Sequence, residues 1–203
     1  TGNAALEILA EGTGSVYIGT VSLMPADNVH GMRADVINLL TQLGGTIYRW
    51  PGGWFGNGYD WRKCIGDRDK RAPWLNGIYG TKQLEPNDFG PDEFMTFVAT
   101  IGTESYIGVS AMMPLDAQMA AEEVEYFNGG SSTPMGQLRA VNGHPETYDV
   151  RFWGIGCETW GFQALNEYAA LHNQIAQAML AADPTIKIVG VGGLGSHGSE
   201  PDQ

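Results

Sequence analysis

Apolar and polar positions change period repeatedly along this chain, and each change marks an element. Ala5-Leu6-Glu7-Ile8-Leu9 reads as a short strand, Glu11-Gly12-Thr13-Gly14 as a turn, and Ser15 to Leu23 as a second strand rich in Val, Tyr, Ile and Thr. Pro25-Ala26-Asp27-Asn28 breaks that pattern. From Met32 the period becomes helical: Met32, Val36, Leu39, Leu40 and Leu43 fall on one face, and Gly44-Gly45 stops the helix. Thr46 to Trp50 is a buried strand ended by Pro51-Gly52-Gly53, and a long loop runs from Trp54 to about Asn87. Pro91-Asp92-Glu93 opens a second helix with proline and acids in its first turn. Phe94, Phe97, Val98 and Ile101 form its inner stripe, and Gly102 ends it. A strand over Glu104 to Ser110, a helix over Leu115 to Phe127 and a connection through Pro134, Leu138 and His144 follow. The strand Val150 to Ile155, the helix Asn166 to Ala182 and the strand Ile186 to Val191 complete the pattern.

From Thr46 onward strands and helices alternate, which predicts a parallel sheet with covering helices. Four such strands are found, whereas a closed barrel needs eight and typically about 250 residues. Residues 25–203 are therefore either a short open α/β sheet or an incomplete barrel. Residues 1–24 read as the tail of a separate β-module, because a lone hairpin is marginal in water.

Composition narrows the partners. The net charge of −12 over 203 residues argues against a phosphate backbone or an anionic membrane. It suits a neutral ligand such as a sugar, and six Trp and eight Tyr offer flat faces for sugar rings, although most aromatics fill cores. Two cysteines, Cys64 and Cys157, give neither a disulfide framework nor metal spacing, and the four histidines are scattered. No metal or cofactor is implied. No run is long enough to cross a bilayer as an apolar helix, and no secretory pattern opens the chain, which leaves intracellular and secreted settings both open.

Chemistry concentrates at the strand ends. Glu158 follows the strand Val150 to Ile155, at the end of a strand where α/β barrels keep their reactive groups. Trp160 beside it is expected to strip water from the carboxyl and favour its neutral form, as a general acid requires. A strand-end Glu bonded to a neighbouring loop is the plainer reading. Arg49 in an apolar strand needs a carboxylate or a ligand, so an ion pair with Glu158 and direct ligand contact both stand. Parallel strands bring Arg49, Ser110 and Glu158 to one rim. The charged run Asp67-Arg68-Asp69-Lys70-Arg71 reads as a solvated, self-paired segment.

Several motifs in fixed order resemble the α-L-arabinofuranosidases of glycoside hydrolase family 51. They are Tyr48-Arg49-Trp50-Pro51-Gly52-Gly53, Gly58-Tyr59-Asp60-Trp61-Arg62, Ile65-Gly66-Asp67-Arg68-Asp69, Asn87-Asp88-Phe89-Gly90 with Asp92-Glu93-Phe94, Asn142-Gly143-His144-Pro145-Glu146, and Trp153-Gly154-Ile155-Gly156 with Glu158. The similarity runs from about Ser15 to Val191. It implies a (β/α)8 barrel of TIM type of which about half is present, preceded by the last strands of a carbohydrate-binding-like β-sandwich module. It also implies retaining hydrolysis of terminal α-L-arabinofuranosyl groups on plant polysaccharides or oligosaccharides. Glu158 would be the acid/base, and Arg49 would lie beneath the site and hold carboxylates.

The departures from that pattern lie at the same rim. Cys157 stands where the family usually has an Asn that donates to the sugar 2-hydroxyl, and a thiol is a weak donor. Trp54 and Ser110 also stand where Asn is usual. With Trp160, these positions are the expected substrate contacts. The family nucleophile is a Glu near the end of a late strand, beyond the strand Ile186 to Val191. A retaining mechanism needs two carboxyls about 5 to 5.5 Å apart. The chain alone is therefore expected to be inactive or nearly so. A non-catalytic carbohydrate-binding or scaffold protein built on the same fold is the competing class. Unpaired sheet edges predict association of the isolated chain into a homo-oligomer or aggregate.

Overall fold

The computed structural model describes residues 5–19, 21, 23–76, 83–112 and 117–192. The expected start of a helix at Leu115 and the tail after residue 192 lie outside them. The first helix, α1 (Ala34–Leu43), leads to strand β1 (Ile47–Trp50). Three short 3-10 turns at Gly53–Gly58, Trp61–Cys64 and Arg68–Lys70 follow, then an antiparallel pair, β2 (Trp74–Asn76) and β3 (Gln83–Glu85). Helix α2 (Pro91–Ile101), strand β4 (Glu104–Val109), helices α3 (Ala117–Asn128) and α4 (Pro134–Val141), strand β5 (Phe152–Ile155), helix α5 (Leu165–Ala182) and strand β6 (Lys187–Val189) complete the order.

The main sheet is parallel throughout, in the order β1-β4-β5-β6. Its register aligns Arg49, Tyr106, Phe152 and Lys187 in one row and Trp50, Ile107, Trp153 and Ile188 in the next. Successive side chains of a strand point to opposite faces, so these rows belong to two different surfaces. The Trp50 face is the core. Tyr48 meets Phe97 of α2 edge-on with ring centroids 5.3 Å apart, and Phe127 of α3 meets Trp153 at 5.4 Å. Ile175 and Met179 of α5 are buried in the same cluster. The Arg49 face carries exposed or half-buried side chains, including Ile47, Arg49, Lys187 and Val189.

Helix ends follow the sequence signals. Gly44 and Gly102 close α1 and α2 in the left-handed conformation at φ 66° and 68°. The Glu93 carboxylate accepts from the Gly90 N–H at 2.8 Å and so satisfies a free donor at the start of α2. The segment 134–141, expected as a connection, is instead α4. Thr133 caps it by accepting from the Gly136 N–H at 3.2 Å, with Pro134 in its first turn. Arg139 fastens α4 by donating to the carbonyls of Tyr126, Phe127, His144 and Pro145.

Three expectations are corrected. The described residues between 5 and 24 form no strand, and Tyr17 is 94% exposed. A β-prone sequence makes a strand only where a neighbour completes its hydrogen-bond ladder, and no described element does so. The buried face of α1 is not the expected stripe: Ile37 is buried, whereas Val36, Leu39 and Leu43 are exposed. Met32 and Leu40 of the expected set do pack against the core, so the stripe is only partly covered. The loop after Trp54 is more ordered than expected. Tyr59 and Trp61 are core residues, and Arg71 leaves the otherwise solvated charge run to form a buried two-pronged ion pair with Glu93, both contacts at 2.9 Å. The pairing of Lys70 with Asp67 at 3.0 Å is as expected. No described helix is long and apolar enough to cross a membrane.

Candidate active site

The rim above the carboxyl ends of β1, β4 and β5 is built from three loops that lock together. After β5, Gly156 turns the chain at φ 80°. A Cβ there would sit 2.7 Å from Thr159 Cγ2 and 3.0 Å from Ala111 Cβ, so only glycine lets this loop settle on the loop after β4. Glu158 follows in the left-handed region, at φ 52° and ψ 36°. That conformation costs a residue bearing a Cβ about 1 kcal/mol or more and persists where surrounding contacts enforce it. The turn Thr159–Gly161 then closes with the Gly161 N–H donating to the Glu158 carbonyl at 3.1 Å.

The contacts that enforce this backbone come from Asn57, which is 2% exposed. Its Nδ2 donates to the Cys157 carbonyl at 2.6 Å, and its Oδ1 accepts from the Cys157 N–H at 3.0 Å. The main-chain carbonyl of Asn57 accepts from the Ser110 hydroxyl, and Ser110 Oγ in turn accepts from the Met112 N–H at 3.2 Å. Gln163 adds a further tie by donating to the Ala111 carbonyl at 3.1 Å.

The expected site residues fall into two groups. Glu158 is exposed at the rim, and Trp160, 46% exposed, also faces water, so Trp160 does not desolvate the carboxyl as the sequence suggested. Cys157 is half-buried and lines a small hollow with Arg49, Tyr106, Gly108 and Gly156. That hollow has a volume of about 10 Å³, room for a single water rather than a furanose ring. Trp54 is half-buried and meets Phe162 edge-on at 5.4 Å, which ties the loop after β1 to the turn after Glu158. Ser110 is buried, and its hydroxyl joins loops instead of facing the rim. A short serine side chain at the end of a central strand reaches the neighbouring loop before it reaches solvent.

Arg49 is exposed and makes no ion pair with Glu158 among the described residues. Its guanidinium lies 6.0 Å from the centroid of the Tyr106 ring. Tyr106 crosses the open face of the sheet so closely that a Cβ on Gly154 would come within 2.1 Å of its hydroxyl. Burial pushes the Tyr106 phenol up, and Arg49 opposes that shift. Neither Asn57 nor Tyr106 is among the residues the sequence pattern marks, and Gly154 is marked only as part of a motif. Period-2 alternation alone places Tyr106 on the Arg49 face, so that signal was available. Nothing local marks Asn57, whose partner lies 100 residues away.

Other motif residues hold the scaffold. Asn87, at φ 64°, donates to the carbonyls of Lys63 and Ala72. The buried Asp92 accepts from the hydroxyls of Tyr126 and Tyr148, and Asn142 donates to Tyr126. Burial raises the pKa of Asp92 against those hydrogen bonds.

A family model described as the alpha-L-arabinofuranosidase 1 domain matches residues 39–202. The chain is 36% identical over 176 residues to the probable alpha-L-arabinofuranosidase C of Aspergillus clavatus, a match covering 81% of this chain and 33% of that protein. It is 33% identical over 148 residues to the intracellular exo-alpha-L-arabinofuranosidase of Bacteroides ovatus, covering 73% of this chain and 28% of that one. Among solved structures, the GH51 alpha-L-arabinofuranosidase of Thermotoga petrophila superposes with a TM-score of 0.78 at 36% identity, over 83% of this chain and 36% of that chain. The family 51 alpha-L-arabinofuranosidase of Bifidobacterium longum superposes with a TM-score of 0.79 at 32% identity, over 85% and 35%. The chain thus spans about a third of the length of the curated relatives it matches.

Proposed function

Because the chain belongs to the alpha-L-arabinofuranosidase 1 domain family, within glycoside hydrolase family 51, we propose that its rim supplies the proton-donor half of an arabinofuranosidase site. The substrate is a terminal α-L-arabinofuranosyl group of a plant polysaccharide or oligosaccharide. Glu158 protonates the leaving oxygen and, in the second step, takes a proton from the attacking water. Arg49, Cys157, Trp54 and Trp160 line the approach to it. The observation that carries this reading is Glu158 itself, an exposed carboxyl at the end of β5 held in a left-handed backbone. Residues held in sparsely populated backbone conformations cluster at active sites.

The fold reading proposed alongside treats residues 25–203 as part of a (β/α)8 barrel, about half of it, with the Arg49 face turned inward. Residues 1–24 belong to the end of a β-sandwich module. The parallel order and the helices over the Trp50 face support the first; the β-prone composition supports the second.

Retention requires a second carboxyl about 5 to 5.5 Å from the first. The described segments that follow β1, β4 and β6, residues 51–59, 110–112 and 190–192, contain no Asp or Glu. The 203-residue chain alone is accordingly expected to hydrolyse arabino-oligosaccharides at the buffer background. Azide can stand in for the carboxylate nucleophile that those described segments do not supply. It attacks the anomeric carbon, the bond to the leaving oxygen breaks, and that oxygen takes the Glu158 proton. The expected result is an arabinofuranosyl azide formed by the wild-type chain and not by Glu158→Gln. Equal product from both would remove Glu158 from the mechanism. Release of arabinose without azide, lost in Glu158→Gln, would overturn the expected inactivity.

A second reading, a non-catalytic carbohydrate-binding protein, draws support from the half-exposed Trp160 and the absence of a carboxylate in those segments. Calorimetry with arabino-oligosaccharides separates the two. Binding that survives Glu158→Ala and fails with Trp54→Ala favours the binding protein.

A further inference from the structure

We propose that Asn57 is the positioning residue for Glu158, holding the proton donor at the rim by gripping the peptide that precedes it. The proposal rests on the reading of Glu158 given above and names what sets its geometry.

The side-chain amide of Asn57 makes a closed two-bond ring with the main chain of Cys157, donating to its carbonyl at 2.6 Å and accepting from its N–H at 3.0 Å. A carboxamide is the group suited to this task, because it presents one donor and one acceptor side by side in a plane. The two partners also fix which way the amide points, since the flipped orientation would set donor against donor and acceptor against acceptor. Cys157 is the residue directly before Glu158, so its peptide plane sets where the left-handed Glu158 backbone begins and where its side chain leaves the loop. Asn57 is itself immobilised. It is buried in the 3-10 turn Gly53–Gly58, and its carbonyl accepts from the buried Ser110 hydroxyl. The loops after β1, β4 and β5 therefore meet at one residue, Asn57, and only one of those loops carries the carboxyl.

This arrangement also changes the meaning of Cys157 at a position where an amide side chain was expected. Its main chain, through Asn57, serves the position of Glu158, and that service does not depend on the side chain at 157. Replacing Cys157 by Asn would therefore leave the grip intact.

The test compares Asn57→Ala and Asn57→Ser in the 203-residue chain. Ser can serve at most one of the two Cys157 main-chain partners and brings no charge, whereas Asp would set a carboxylate oxygen against the Cys157 carbonyl. Amide hydrogen exchange at Cys157 is expected to speed up about tenfold in Asn57→Ala, the equivalent of one lost hydrogen bond, and by less in Asn57→Ser. In the azide reaction, Asn57→Ala is expected to lower kcat about tenfold or more at nearly unchanged KM, with Asn57→Ser between it and wild type. The thermal transition of each variant separates lost positioning from lost folding, and Asn57→Ser serves if Asn57→Ala does not fold. Faster exchange at Cys157 with kcat unchanged would overturn the proposal, as would exchange unchanged in Asn57→Ala. If Glu158→Gln forms as much azide product as wild type, the functional reading fails instead, and the exchange measurement still reports whether Asn57 holds the peptide.

Discussion

At the scale of single residues, the carboxylates divide by environment. Glu158 stands in water, while Glu123 on α3 is almost completely buried. Burial drives the Glu123 carboxyl well above the ordinary range, Asp60 pushes it the same way, and Arg62 opposes both. The folded chain therefore holds a proton on Glu123 at a pH where the unfolded chain has released it. Stability from this group is full below the ordinary glutamate pKa and is lost as pH rises towards the folded value, by about 1.4 kcal/mol per unit of difference. Glu123→Gln keeps the shape and removes the titration. Urea denaturation at pH 5 and pH 8 should show a smaller loss of stability on raising pH in Glu123→Gln than in wild type. Equal losses in the two would mean that Glu123 does not titrate in that window. Nothing in the sequence separates these two glutamates by chemistry. The place of Glu158 just beyond a strand was legible because a strand pattern and glycines surround it. Its exposure was not, because whether Trp160 covers the carboxyl depends on where the turn Thr159–Gly161 points.

At the scale of elements, the four parallel strands and most helices could be read because their signals are local. Gly44, Gly102 and Pro91 act within one helical turn of where they stand. Helix α4 carries an equally local signal, Thr133 before Pro134, although at eight residues it is too short to show a helical period clearly. The strands expected between 5 and 23 and the buried face of α1 were misread for the opposite reason. Both depend on what lies next to the element. The loop after β1 illustrates the same dependence, since one of its ties is Arg71 reaching 22 residues ahead to Glu93. The Arg71 side chain is 3% exposed, and it also donates to the Gly66 carbonyl at 2.7 Å. Arg71→Ala would leave Glu93 partly buried and without its cation. A loss of about 3 to 5 kcal/mol in urea denaturation is expected, the range for breaking a buried pair from one side. A loss below about 1 kcal/mol would place this ion pair with ordinary surface pairs.

At the scale of the whole molecule, one face of the sheet is covered by helices, and among the described residues both of its edges are open. Within the four-stranded sheet, β1 and β6 each pair on one side only. Three apolar side chains of α1 and β1 are exposed as well: Leu39 and Leu43 of α1, at 64% and 73%, and Ile47 of the edge strand β1. An exposed strand edge with an apolar rim is a template for pairing with another chain. The 203-residue chain should therefore associate in a concentration-dependent way, visible as a rise in mass by light scattering over micromolar concentrations. Leu39→Glu with Leu43→Glu tests the cause. Both side chains are already in water, so folding stability should change by no more than about 0.5 kcal/mol each. Association should shift to higher concentration, because each new charge must be desolvated at the contact. A monomer with a sharp, concentration-independent thermal transition in the unaltered chain would show that the edges protect themselves. Unchanged association in the double variant would move the contact to β6 or to the Arg49 face.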